Sequence, residues 1–418
     1  MIYTMLIQIK NNLFNSRLAA VLLLGFSSGL PLALTGPTLQ AWFTEAGVGL
    51  VTIGAVSLVG LPYIFKFLWA PLMDRYSIFQ LGRRHGWILA MQAGLVVTLF
   101  LLAQLDPASQ TLEIGLIALA IAFFSASQDV AVDAYRTDLL TSAERGLGAA
   151  YYVFAYRAAL LVSGGLALVL ADFIGWKLTY ELMAILILCT MLPTYKAPAV
   201  NVVDVGTTGM VESFIVPLRE LLQRDRIIIL LCFIVFYKFG DALALSLMTT
   251  FLLHGIGFSL SEVGLAYKLV SFIATISGAF VGGYILLRSN LFRALLLFGL
   301  LQAGSNLMFV VLAVAGKHFF LMASAVFIEN FCSGLSTAAF LAFLMSLCNH
   351  RYTAGQYALL SAVASLSRVF IGPFAGLMVE QLGWVQFYLW TFVLSFPGIV
   401  FLILLKEKVL SYAHATVN

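Results

Sequence analysis

Twelve runs of mostly apolar residues recur along this chain, each about as long as a helix needs to cross a bilayer. They fall at 18–43, 50–73, 86–105, 111–138, 146–171, 177–194, 227–253, 262–287, 292–314, 318–347, 354–377 and 385–405. With 62% hydrophobic and 10% charged residues, the chain lacks the charge of a soluble surface, where about a quarter is usual. The pattern predicts an all-α polytopic membrane protein, because in lipid a spanning helix satisfies its backbone groups within its own segment.

The basic residues predict orientation. With both termini cytoplasmic, the inner segments hold Lys10, Arg17, Arg75, Arg83, Arg84, Arg145, Lys196, Arg219, Arg224, Arg226, Arg288, Arg293, Arg351, Lys406 and Lys408, and the outer loops hold only Lys177 and Lys317. The same scatter, at a net charge of +4, argues against a nucleic-acid partner. Cys189, Cys232, Cys332 and Cys348 lie in or beside apolar spans without CxxC spacing, and the five histidines are dispersed, so neither a disulfide framework nor a metal or other cofactor is expected. The N-terminal MIYTMLIQIKNNLFNSR has no small-residue cleavage site, so no removable signal peptide is expected.

The chain resembles itself. GLPLALTGPT (29–38) aligns with GDALALSLMT (240–249) at an offset of 211, which also places Arg157 on Arg368 and Gly165 on Gly376. Gly47, Leu50 and Gly54 fall on Gly257, Leu260 and Gly264 at 210. An even number of spans per repeat makes the two copies parallel, the arrangement of major facilitator transporters. The expected organisation is a six-helix half at 1–195, a polar linker with a short amphipathic helix at 196–226, and a second six-helix half at 227–418.

Charge inside a bilayer costs a few kcal/mol on insertion scales and therefore faces a cavity or a partner. Such charges are Lys66, Asp129, Asp133, Arg136 and Arg157 in the first half, and Lys238, Asp241, Lys268, Glu329 and Arg368 in the second. Spans 3, 9 and 12 carry none, as suits the peripheral helices of that fold. By helical rise Asp129 lies about 14 Å and Arg157 about 16 Å from the inner ends of their spans, which suggests a buried pair. Asp133 and Arg136 are within about 8 Å of the inner surface and join Asp74, Arg75, Arg83 and Arg84 in an expected cytoplasmic gate. Lys66 is either a structural cation or a ligand for an anion, and Lys238 and Asp241 either neutralise each other or also bind.

At these residues the chain resembles the AmpG muropeptide permeases, through GLPLALTGPTLQAWFTEAG, LPYIFKFLWAPLMDRY, FFSASQDVAVDAYRTDLL, FYKFGDALALSLMTTFL and ENFCSGLSTAAFLAFLMSLCNH, over about 17–405. The SQDxxxDA core alone is shared with acetyl-CoA transporters. The resemblance implies a monomeric, proton-coupled importer in the bacterial inner membrane, surrounded by lipid and needing no cofactor. Its implied cargo is GlcNAc-1,6-anhydro-MurNAc with or without peptide, recovered during wall turnover; in some bacteria this uptake feeds induction of β-lactamase. Some members carry further C-terminal hydrophobic spans, whereas this chain stops soon after its twelfth.

A sugar-rich anion calls for hydroxyl and amide contacts, offered by Thr35, Thr38, Gln40, Gln128, Asn306 and Asn330, and for cations, offered by Lys66, Lys238, Lys268 and Arg368. Proton coupling calls for a buried carboxylate beside a cation: Asp129 with Arg157 first, then Asp241 and Glu329. The competing functions are a related permease for another bulky anion, such as a siderophore or acyl-CoA compound, and a membrane-embedded enzyme. The absence of HExxH or a Ser/His arrangement disfavours the enzyme, and the absence of GxxxxGK[ST] disfavours ATP-driven transport.

Overall fold

The computed structural model describes residues 15–78, 82–140, 145–200, 219–223, 226–286, 288–347 and 353–415, and all regular structure among them is helical. The first ten spans are α1 (Ser16–Glu45), α2 (Leu50–Leu68), α3 (Arg83–Leu102), α4 (Thr111–Leu139), α5 (Tyr151–Ile174), α6 (Trp176–Lys196), α7 (Ile227–Gly255), α8 (Lys268–Leu286), α9 (Leu291–Ala315) and α10 (Phe319–Ser346). The next stretch, Leu359–Leu404, has 46 residues and is about twice as long as a bilayer requires. Gly383, at φ 75°, breaks it into α11 (359–382) and α12 (384–404), so the described residues contain twelve spans. The predicted linker at 196–226 lies mostly outside the described residues, as does Cys348.

Two compact units form, Met1–Ala46 with Val59–Val205 and Gly47–Leu58 with Gly206–Asn418. Within the first, α1 packs on α5 through Gly25 and Gly29, one turn apart. A Cβ added there would lie 2.8 Å from the Tyr152 carbonyl oxygen and 2.5 Å from that of Tyr156. Small residues at this spacing let helix backbones approach where lipid supplies no hydrophobic drive. In the second unit, Gly278 and Gly282 of α8 do the same against Phe331 and Leu335 of α10. The start of α2 packs there on α11, where Ser57 Oγ donates to the Val369 carbonyl at 2.7 Å.

The internal repeat is written in the backbone. Gly47 and Gly257, 210 apart, both have positive φ (73° and 87°) before α2 and α8. Gly175 and Gly383, 208 apart, do likewise (80° and 75°), and each precedes a Trp-x-x-x-Tyr sequence. In the first unit the Trp176 and Tyr180 ring centres lie 5.9 and 5.1 Å from Trp42 of α1. In the second, Trp384 and Tyr388 lie 5.1 and 4.7 Å from Phe251 of α7. The last helix of each unit thus clasps the first with the same aromatic pair.

Candidate functional site

The second unit concentrates buried charge where α7 breaks. One helical segment ends at Phe236, and the next begins at Phe239 with Lys238 at its N-cap position. Gly240, against Ser395 and the Thr391 carbonyl, lets α12 close over the break. Lys238 Nζ lies 3.5 Å from Asp241 Oδ2 and donates to the Ser333 carbonyl at 3.4 Å. Asp241 Oδ1 accepts from Gln302 Nε2 at 2.9 Å, and Oδ2 accepts from Ser333 Oγ at 3.3 Å. The same Gln302 amide donates to Glu329 Oε1 at 3.3 Å. Glu329 is fully buried and its Oε2 has no partner. Lys238 and Asp241 retain 15% and 11% side-chain exposure, so the cluster grades from slight solvent contact to none. Arg368 of α11 is exposed, and its charge acts on Lys238.

The first unit has a neutral counterpart. Gln92 of α3 stands 210 residues before Gln302 and is fully buried. It donates to Ser27 Oγ at 2.8 Å and Thr194 Oγ1 at 3.0 Å, while Gln128 donates to Ser27 at 3.0 Å. Ser27 itself stands 211 before Lys238. The structure therefore places Gln128 in a network that joins α1, α3, α4 and α6, rather than facing an open site. One residue of rotation from Asp129 turns it into the helix interface, where its Oε1 has no partner.

Asp129 is buried, with Oδ1 unpartnered, and the buried Ser28 Oγ, Ser125 Oγ and Tyr63 OH are also without partners. The cation acting most strongly on it is the half-buried Lys66. The expected Asp129–Arg157 pair does not form: Arg157 is exposed, and no such contact exists among the described residues. The face of α5 carrying Tyr152, Tyr156 and Ala159 is pressed onto α1, and Arg157 lies about 100° round from Tyr156.

Three of the other expected contacts, Thr35, Thr38 and Asn330, are internally satisfied. Thr35 donates to the Pro31 carbonyl at 3.1 Å and Thr38 to that of Ser163 at 2.7 Å. Asn330 donates to the Val326 carbonyl at 2.9 Å and accepts from Thr275 at 3.4 Å. Gln40 is buried, and Lys268 is half-buried with Nζ 4.5 Å from the Tyr267 ring centre. Asn306, at a break in α9, is fully buried with both amide atoms unpartnered. The expected gate residues form separate contacts. Arg84 pairs with Asp138 at 2.9 Å, Asp133 with Arg136 at 3.0 Å, and the Arg136 guanidinium lies 4.3 Å from the Tyr152 ring centre. Arg83 is partly buried, and the side chains of Asp74 and Arg75 lie outside the described ones.

The sequence profile of the Major Facilitator Superfamily matches residues 21–368. An Escherichia coli K12 protein named anhydromuropeptide permease is 47% identical over 404 residues, covering 96% of this chain and 82% of that protein. The chain belongs to the anhydromuropeptide permease family of the major facilitator superfamily. Another relative, putative transporter AmpG 4 of Rickettsia conorii, is 29% identical over 94% of this chain and 97% of its own. A solved nucleoside transporter, NupG, superposes with a TM-score of 0.73 at 14% identity, covering 93% of this chain and 99% of that one. A D-xylose-proton symporter gives 0.68 at 12%, covering 93% and 96%. These two distant likenesses show the major facilitator fold alone. The chain is a multi-pass membrane transporter and not an enzyme.

Three residues of this permease that its sequence does not single out complete these contacts: Gln302, Ser333 and Asp138. Gln302 carried a signal in its spacing, since the repeat aligns it with Gln92.

Proposed function

We propose that this permease imports anhydromuropeptides, GlcNAc-1,6-anhydro-MurNAc with or without peptide, across the bacterial inner membrane for wall recycling. The carrying observation is the 47% identity, over almost the whole chain, to the Escherichia coli relative of that name. The cargo carries carboxylates and many hydroxyls. Lys66, Lys238, Lys268 and Arg368 suit the former, and the unpartnered amide of Asn306 suits the latter.

In this proposal the protein works as a monomer with both termini cytoplasmic and two six-helix halves joined by the 196–226 linker. Import is proton-coupled, with Asp129, Asp241 and Glu329 as the carboxyl groups available to hold protons. Asp129 and Arg157 are not paired, so Lys66 is the cation whose charge acts most strongly on Asp129. Arg83, Arg84, Asp133 and Arg136 serve the cytoplasmic gate, together with Asp74 and Arg75.

Uptake into proteoliposomes under an imposed pH gradient tests the proposal. Labelled disaccharide and its tri- and tetrapeptide forms should accumulate, and siderophores and acyl-CoA compounds should fail to compete. Accumulation of a competitor instead, or outward pumping of the disaccharide, would overturn it.

A further inference from the structure

The two carboxyl groups of the α7–α9–α10 cluster are unequally provided for. Asp241 receives Lys238, Gln302 and Ser333, which together meet both of its oxygens. Glu329 receives only the Gln302 amide that it shares with Asp241, and its second oxygen is buried without a donor. An ionised carboxylate in that position would leave charge uncompensated in a low-dielectric interior, which is costly. A carboxylic acid there is tolerated and can donate its own proton. The two carboxyls accept from the same Gln302 amide nitrogen, which places them side by side.

We infer that Glu329 is a resident carboxylic acid, that Asp241 is the carboxylate that takes up the transported proton, and that Lys238 is the ligand which that proton releases to grip a carboxylate of the cargo. The inference rests on the proposed anionic cargo. With Glu329 neutral, the empty cluster holds one cation, Lys238, and one anion, Asp241. Proton transfer to an Asp241 oxygen forms an O–H bond, ends the attraction to Lys238 and leaves the cluster with a net positive charge. A carboxylate arriving from the cargo, paired with Lys238, returns it to neutrality.

Proton alone or anion alone would each leave a net charge buried at that depth. Only the empty and the doubly loaded states are balanced, so each ligand raises the affinity for the other by the same factor. The other groups facing the cluster fit this assignment. Arg368 adds positive potential beside Lys238, where an anion would arrive. Tyr267, just before α8, Cys332 of α10 and Tyr388 of α12 contribute no charge while protonated. The repeat supplies an internal comparison: in the first unit the corresponding amide, Gln92, serves hydroxyl groups only.

Two measurements on the purified full chain test the inference. The first needs no cargo. In a D129N background, which removes the other buried carboxyl with an unpartnered oxygen, the infrared spectrum at neutral pH should contain a carboxylic-acid carbonyl band that disappears on adding E329Q, or Glu329→Met should E329Q not be recovered. Survival of that band in both would overturn the assignment of Glu329. The second measures binding of GlcNAc-1,6-anhydro-MurNAc and of its neutral lactyl carboxamide, together with proton uptake from a weakly buffered solution. The wild type should prefer the acid and take up about one proton per molecule bound. D241N should bind the acid with no proton uptake. K238M should lose affinity for the acid by about thirtyfold or more, the low end for breaking a buried charge pair, and so lose the preference over the carboxamide. Proton uptake persisting in D241N, or the preference persisting in K238M, would overturn the linkage. Failure of the wild type to bind either compound would overturn the muropeptide cargo, with the infrared result still deciding the state of Glu329.

Discussion

Gln302 donates its side-chain amide to Asp241 at 2.9 Å, joining α9 to α7 inside the second unit. The matching residue in the first unit, Gln92, donates instead to hydroxyls of α1 and α6. One framework position therefore serves charge in one copy and neutral packing in the other.

Replacing each glutamine by leucine should separate these roles. Both changes orphan buried polar groups and should cost about 1–3 kcal/mol in stability. Only Gln302→Leu should also shift the pH profile of uptake, because only it touches the carboxylates. Thermal melting in detergent and uptake at several pH values check this. A pH profile moved equally by Gln92→Leu would contradict it.

The ion pairs near the end of α4 should differ in worth. Asp133 and Arg136 are 45% and 30% exposed, so breaking them with Asp133→Asn should change stability by less than about 1 kcal/mol. Arg84 and Asp138 are less exposed, at 12% and 29%, and meet at 2.9 Å. Asp138→Asn should therefore lower the melting temperature more than Asp133→Asn, and the reverse order would refute the comparison.

Gly175→Ala and Gly383→Ala should each destabilise by about 1–3 kcal/mol, the cost of forcing a Cβ into a positive-φ, extended-ψ backbone that is essentially reserved for glycine. Gly283→Ala, where an added Cβ would meet nothing within 4 Å, is the control and should be close to neutral. Equal melting temperatures for all three would rule out strain at the two breaks.

In the turn that precedes α8, Ser259 and Glu262 form a capping box: the Ser259 amide donates to Glu262 Oε2 at 2.8 Å, and Lys317 Nζ lies 3.0 Å from the same oxygen. That backbone hydrogen bond, and then Lys317, hold the Glu262 carboxyl below its ordinary value of 4.5. A depressed value means that the ionised group stabilises the turn at neutral pH. The contribution is lost as pH falls below 4.5 and through the depressed value. Amide exchange at Glu262 and Val263, corrected for intrinsic rates, should show protection declining over that acidic range in the wild type. Glu262→Gln should show the lower protection throughout. Unchanged protection on acidification would exclude the linkage.

The spans were legible in the sequence because a bilayer imposes one length on every helix, and the buried cations and carboxylates because charge in an apolar run stands out. Asp129 with Arg157 shows where such legibility stops. Helical rise sets how deep a residue sits, but the glycine-lined contact of α1 with Tyr152 and Tyr156 sets which way α5 faces, and that contact turns Arg157 aside. Gln302 is inconspicuous in the sequence for another reason. An uncharged amide barely alters the hydropathy of α9, and its importance comes from Asp241 and Glu329, both distant in sequence.

The order of the cluster along the chain bears on how the protein is made. Lys238 and Asp241 leave the ribosome together on one helix, three residues apart, so α7 can enter the membrane with its charges already matched. Glu329 arrives on α10 with no cation of its own helix beside it, but α9 immediately precedes it carrying Gln302. Biogenesis should therefore favour insertion of α9 and α10 as a hairpin, with the amide waiting in the translocon for the acid that it will hold.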